Sequence, residues 1–181
     1  GTAGQFNVAL RITEWRKIEG KYVEIGYVVR DMQIIIENSN NKRPKLILPP
    51  DLCVIAGTRI EEIIQGEDPD GDGIKIEVFG EPMEINVSPA TYDPANVFQV
   101  QPGIVNFDWQ TVCNHVRERE YEVRIRITDQ PRSGPKLVDI QTWRIKVIGP
   151  PPIWDALEQL PGRSVELNWD PYACANSAEK M

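Results

Sequence analysis

Histidine is almost missing from this chain: His115 is the one copy in 181 residues. Any Ser-His-Asp or Cys-His catalytic arrangement must therefore run through that single side chain. Cysteine is scarce too, with three copies and no C-x-x-C spacing, so a structural zinc site has no donor set. No apolar run approaches the ~18 residues of a membrane span. Positive charge is neither abundant nor clustered. The net charge is −7 and the Lys and Arg residues are scattered, which excludes the basic stripe of a nucleic-acid surface. Long helical periodicity is lacking. The first residues carry no signal-peptide pattern and read as a point inside a longer chain.

What the chain does have is proline, fifteen copies, together with frequent Val and Ile at alternate positions. That combination predicts an all-β fold. An internal repeat organises it. "FNVALRITE" (residues 6–14) matches "YEVRIRITD" (121–129), a shift of 115 positions from Phe6 to Tyr121. "YVVRDMQIII" (27–36) matches "VDIQTWRIKV" (138–147), a shift of 111 positions from Tyr27 to Val138. A hairpin loop four residues longer in the first copy accounts for the difference. Such a period is far too long for a solenoid unit and suits a sandwich domain of about 100 residues.

Residues 1–40 accordingly read as the last two strands of one sandwich module. Residues 45–149 read as one complete immunoglobulin-like sandwich of about seven strands with turn chemistry between them. Residues 150–181 begin a third piece: after "GPPPIWD", a proline-led segment and an alternating strand ending in Trp169 resemble the start of a fibronectin type III module. That piece is too short for a core of its own. "NSNNKRP" and "GPPP" are the linkers, and their prolines favour short, semi-rigid spacing.

"GEDPDGDGIKIEVFG" (66–80) is the one stretch with a metal-like pattern. Counted from Asp68, Asp70, Asp72 and Gly73 fall at positions 3, 5 and 6 of an EF-hand loop. Position 12 is Phe79 rather than Glu, and "IKIEVF" alternates as a strand, so a self-contained EF-hand is rejected. "DPDGDG" is also strong turn chemistry, because Pro sets φ and Asp caps its own backbone. Trp109 and Trp143 are expected in the core, the alternative being a sugar-stacking platform. Trp15 and Trp154, near strand ends, suit packing between modules.

The motifs "C-V-x-A-G-T", "D-P-D-G-D", "F-D-W-Q-T-V-C-N-H-V-R", "LVDIQTWRIKVIGPPP" and "LNWDPYAC" resemble the large cell-surface proteins of gliding Bacteroidetes. Those carry a gliding-motility-associated C-terminal domain and repeats similar to cadherin-like and PKD-like sandwiches. The resemblance covers most of the chain. It implies an extracellular or surface-anchored, non-enzymatic adhesive or stalk module. Its partners would be protein or polysaccharide at the cell surface and neighbouring modules of the same chain. The alternative is a carbohydrate-binding or accessory domain of a polysaccharide-degrading surface protein.

Two further expectations rest on that resemblance. An extracellular sandwich implies a disulfide between Cys53 and Cys113, the other reading being two buried free thiols. Cys174 is then left over, its partner expected further along the chain. The cadherin comparison implies calcium shared between Asp68 and Asp70 of the turn, Asp129 at the end of a strand, and linker Asn38, Asn40 and Asn41. The linker departs from that pattern: it has no aspartate and carries Lys42 and Arg43. Cys113 and His115 are two apart and could pair as thiol and imidazole, but a loop histidine beside a structural bridge is the plainer reading. Unpaired strand edges on the partial modules also open a route to strand-mediated self-association.

Overall fold

The computed structural model describes residues 3–162 and 164–175. The chain divides into two units, Gly1–Asn40 and Asn41–Met181. The first is a single antiparallel hairpin of β1 (Gly4–Ile18) and β2 (Lys21–Ile36). Glu19 and Gly20 both take positive φ at its tip, the backbone a two-residue turn needs to match strand twist. A bulge at Glu14/Trp15 interrupts the register once.

The second unit contains an immunoglobulin-like β-sandwich. One sheet orders β3 (Lys45–Ile47), β5 (Arg59–Glu67), β9 (Gly103–Gln110) and β7 (Thr91–Asp93). The other orders β4 (Leu52–Ile55), β11 (Val138–Ile148), β10 (Tyr121–Gln130), β6 (Gly73–Gly80) and β8 (Phe98–Gln99). Within these sheets all pairings are antiparallel except β4 with β11. A one-turn helix, α1 (Glu81–Glu84), follows β6. A 3₁₀ turn, Cys113–His115, precedes β10. A separate two-stranded sheet, β12 (Trp154–Leu160) with β13 (Ser164–Trp169), ends the described chain.

The core is what period-2 alternation dictates. Val105, Phe107 and Trp109 of β9 face Val123, Ile125 and Ile127 of β10 and Trp143, Ile145 and Val147 of β11, all essentially buried. Phe107 meets Trp143 edge-on at 5.2 Å between ring centres. Both tryptophans therefore serve the core and neither is a sugar platform. Each satisfies its indole N–H on a backbone carbonyl: Trp109 on Ser88 at 3.0 Å and Trp143 on Pro50 at 2.8 Å. Gly66 and Gly103 pair opposite each other at one end of this core. A Cβ on either would meet the tip of Ile127 or Ile74 at 2.5–2.7 Å, so a larger residue there requires these isoleucines to repack.

The repeat extends to register. Thr13 pairs with Tyr27 and Thr128 with Val138, the same correspondence the sequence shifts impose. The equivalents of buried Val123, Ile125, Ile127, Trp143 and Ile145 are Val8, Leu10, Ile12, Met32 and Ile34. In the isolated hairpin Leu10, Ile12, Met32 and Ile34 are exposed. Two strands enclose no core, so identical patterning gives burial only where a second sheet is present.

The cysteine pairing differs from expectation. Cys113 is bonded to Cys174, and Cys53 is a free, exposed thiol. The reason is strand parity. Leu52 and Val54 turn toward the core, which sends Cys53 and Ile55 outward on the edge strand. Cys174 is instead buried against the sandwich. The loop so closed has a sequence separation of 61, for which chain entropy gives a stabilisation of about 4 kcal/mol.

Tyr121 opens β10 and donates from its hydroxyl to the His115 carbonyl at 3.0 Å, a tyrosine corner. Tyr121→Phe leaves that buried carbonyl bare. The expected cost is about 1–2 kcal/mol, a fall of roughly 2–8 °C in thermal midpoint with unchanged β-sheet circular dichroism.

Candidate functional site

The sandwich brings chemistry-bearing side chains together at its two ends. At one end lie the β5–β6 turn, the end of β10 and the segment leading into β3. The turn is built from its own aspartate. Asp68 Oδ1 accepts the N–H of Asp70 at 2.8 Å and of Asp72 at 3.4 Å, and the Gly71 N–H reaches the Asp68 carbonyl at 3.2 Å. Gln101 clamps it from the segment just before β9. Its amide nitrogen donates to the carbonyls of Asp68 and Asp72, each at 2.9 Å, and its oxygen accepts the Asp68 N–H at 3.0 Å.

Asp68 and Asp129 are both buried. Asp129 Oδ1 accepts the Leu137 N–H at 2.6 Å, and Oδ2 accepts the Asn41 side-chain amide at 2.6 Å. Asp70 is held from the linker: Oδ2 accepts the Lys42 N–H at 2.6 Å, and Oδ1 lies 3.2 Å from the Lys42 ammonium. The Lys42 N–H bond is the main reason the Asp70 carboxyl sits below the usual range. Asp72 is pushed the other way, first by loss of solvent and then by Asp68, Asp129 and Asp70, with Arg132 opposing.

The expected calcium ligands are thus placed unevenly. Asp68, Asp70 and Asp129 reach the same end of the sandwich, as strand topology requires. Asn38 and Asn40 belong to the other unit and are exposed. Among the described residues, no three His, Cys, Asp or Glu side chains converge as ligands for a metal ion. Both oxygens of Asp70 and of Asp129 are already taken by N–H groups and an ammonium, and Asp68 Oδ2 alone of these three carboxylates keeps an open oxygen, so these residues as arranged do not make a calcium seat. Gln101 and Lys42 are the functional surprises. Lys42 is visible in the sequence as the linker's departure from an acidic pattern, whereas nothing near Gln101 marks it.

The opposite end carries His115. Its Nδ1 accepts the Val112 N–H at 3.2 Å and its Nε2 donates to the Val87 carbonyl at 2.8 Å. The ring lies 4.9 Å from Trp109. Both nitrogens are consumed by backbone, and the neighbouring Cys113 sulfur is in a disulfide, so no thiol–imidazole pair exists here. Beside it is an open cleft of about 310 Å³. Its polar lining includes Glu81, Asn86, Asn114 and Arg117. Arg117 is fixed by Glu81 at 2.5 Å and by the carbonyls of Arg119 and Glu120, and it stacks on Tyr121 at 3.5 Å.

No family model matches the chain, and no curated protein matches its sequence. Among solved structures it is similar to the sialic acid binding region of a Streptococcus sanguinis SK1 adhesin, at 14% identity and a TM-score of 0.42, over 61% of this chain and 31% of that one. The SrpA adhesin of Streptococcus sanguinis is similar at 17% identity and 0.39, over 62% and 61%. Domains 4 and 5 of the S-layer protein SbsC are similar at 12% identity and 0.38, over 68% and 63%. The chain spans less than two thirds of the length of each, and likeness of this order says nothing about its ligands.

Burial holds the His115 imidazole below its ordinary pKa. The unfolded chain takes up its proton from about pH 6.5 downward while the folded chain stays neutral. Stability is therefore expected to fall as pH drops through that point and to level off only once the folded ring also protonates. Urea midpoints of wild type and His115→Gln between pH 8 and 5 check this: the variant lacks that portion of the slope.

Proposed function

We propose that this chain is a non-enzymatic, load-bearing stretch of a surface-exposed or secreted modular protein with an adhesive or stalk role. The observation that carries the reading is the Cys113–Cys174 bond. It fastens the segment after β13 to the 3₁₀ turn of the sandwich, across the "GPPP" linker. Tyr172 adds to the tie by setting its hydroxyl against Gly149, where a Cβ would collide with it. An intrachain disulfide also suits an oxidising compartment.

In this reading residues 1–40 are the final hairpin of a preceding sandwich and residues 150–181 the opening of a fibronectin type III-like module. The register identity of the two hairpins and their common apolar face support the first assignment. The motif resemblance to gliding-type surface proteins supports the setting.

Pulling the full chain by its ends tests the mechanical role. The oxidised chain should unfold in a discrete step. Its released length should be about 200 Å shorter than that of Cys174→Ser, because the closed loop cannot extend. Gradual extension at the lowest forces, with no step, would sink the reading.

A second reading, a carbohydrate-binding module, is favoured by the cleft beside His115. Asn86 and Asn114 line it, next to a pre-oriented Glu81–Arg117 pair. Amides and paired charges are groups that meet sugar hydroxyls. On this reading a glycan array gives signal with wild type that Asn86→Ala/Asn114→Ala loses at least tenfold. A blank array with folded wild type removes it.

A further inference from the structure

Three carboxylates at alternate positions, with a fourth from β10, are costly to gather without a cation. Asp68 is buried, and its Oδ2 has no hydrogen-bond partner among the described residues. The same end nonetheless carries its own positive charge. Lys42 approaches Asp70 twice, through its N–H at 2.6 Å and its ammonium at 3.2 Å. Asn41 places amide hydrogens on Asp129 at 2.6 Å and on the Pro135 carbonyl at 3.3 Å. Consecutive linker residues thus reach two of the carboxylates from one direction, each presenting a donor where a metal ligand would present an oxygen.

We propose that the Lys42 ammonium is the resident cation at Asp70, neutralising that carboxylate in place of a divalent metal and fastening the linker to the sandwich. The arrangement has two physical consequences. First, the linker is fastened whether or not calcium is present, whereas a metal tie dissolves when calcium falls below its dissociation constant, about 10⁻⁴–10⁻³ M for extracellular modules. Second, Lys42 blocks the metal by charge as well as by position. A divalent ion beside an ammonium within hydrogen-bond reach of the same carboxylate must displace it. Removing Lys42 should therefore turn a metal-indifferent end into a weak metal site.

An exposed lysine–aspartate pair contributes little to stability by itself, so the informative readout is calcium response rather than the melting point of Lys42→Ala alone. Thermal midpoints of the full chain are measured in chelator and in 10 mM calcium chloride for wild type, Lys42→Arg, Lys42→Ala and Lys42→Ala/Asp70→Asn. Wild type and Lys42→Arg should not move. Lys42→Ala should rise by roughly 3–5 °C, the shift expected for a site of about millimolar affinity. The double variant should lose that gain. A calcium shift in wild type or Lys42→Arg overturns the proposal, since metal then binds beside the cation. So does an unresponsive Lys42→Ala, or a double variant that keeps the response. Circular dichroism of each variant at 20 °C confirms that the comparison is among folded chains.

Discussion

Trp109 is the side chain on which much of this molecule depends. Fully buried on β9, it packs edge-on against Tyr121 at 5.0 Å and lies against the His115 ring at 4.9 Å. Tyr121 then holds the His115 carbonyl, and His115 holds Val87 and Val112. This chain of contacts fixes the 3₁₀ turn, and the turn carries Cys113. The disulfide, the seat of the following hairpin and the walls of the cleft all follow from an aromatic cluster at one end of the core. Aromatic pairs of this geometry add about 0.5–1.5 kcal/mol beyond the area they bury. Here that surplus sets positions as well as stability.

The two ends of the sandwich solve the same problem with different chemistry. Each fastens a flanking stretch of this unit to its stiff core. At the His115 end the join is covalent and aromatic, and it is indifferent to salt. At the aspartate end the join is ionic and amide-based, through Lys42, Asn41 and Gln101. Exposed charge pairs such as Lys42–Asp70 weaken as ionic strength rises, whereas the neutral amide contacts to buried Asp129 do so much less. The aspartate end is therefore the one whose fastening varies with solution conditions, and the amide contacts of Asn41 and Gln101 limit how far it can loosen.

Much of the fold was legible because alternation states burial directly. Val105, Phe107 and Trp109, or Val123, Ile125 and Ile127, can face only one way in a two-sheet fold. The repeat was legible as an alignment, and the structure carries it into register: with Thr13 paired to Tyr27, shifts of 115 and 111 positions pair Thr128 with Val138. The disulfide was not legible. "LCVI" is apolar at every position, so period 2 does not say whether Cys53 or Leu52 faces inward. Its edge position and outward parity emerge only from parallel pairing with β11. Cys113 and Cys174 are joined by packing across a linker, for which local sequence has no signal.

The aspartate end shows why a motif and its surroundings must be weighed together. "DPDGD" specifies a turn whose carboxylates crowd one another, and that much follows from spacing alone. What neutralises them depends on which residues the segment before β3 delivers, and this segment is distant in sequence from both the turn and Asp129. An acidic linker would demand an external cation. A linker reading Asn41-Lys42 supplies its own donors, with the ammonium at one carboxylate and the amide at another. The same turn thus leads to opposite metal requirements depending on a single linker charge, and charge balance over the whole end, rather than the aspartate pattern, decides between them.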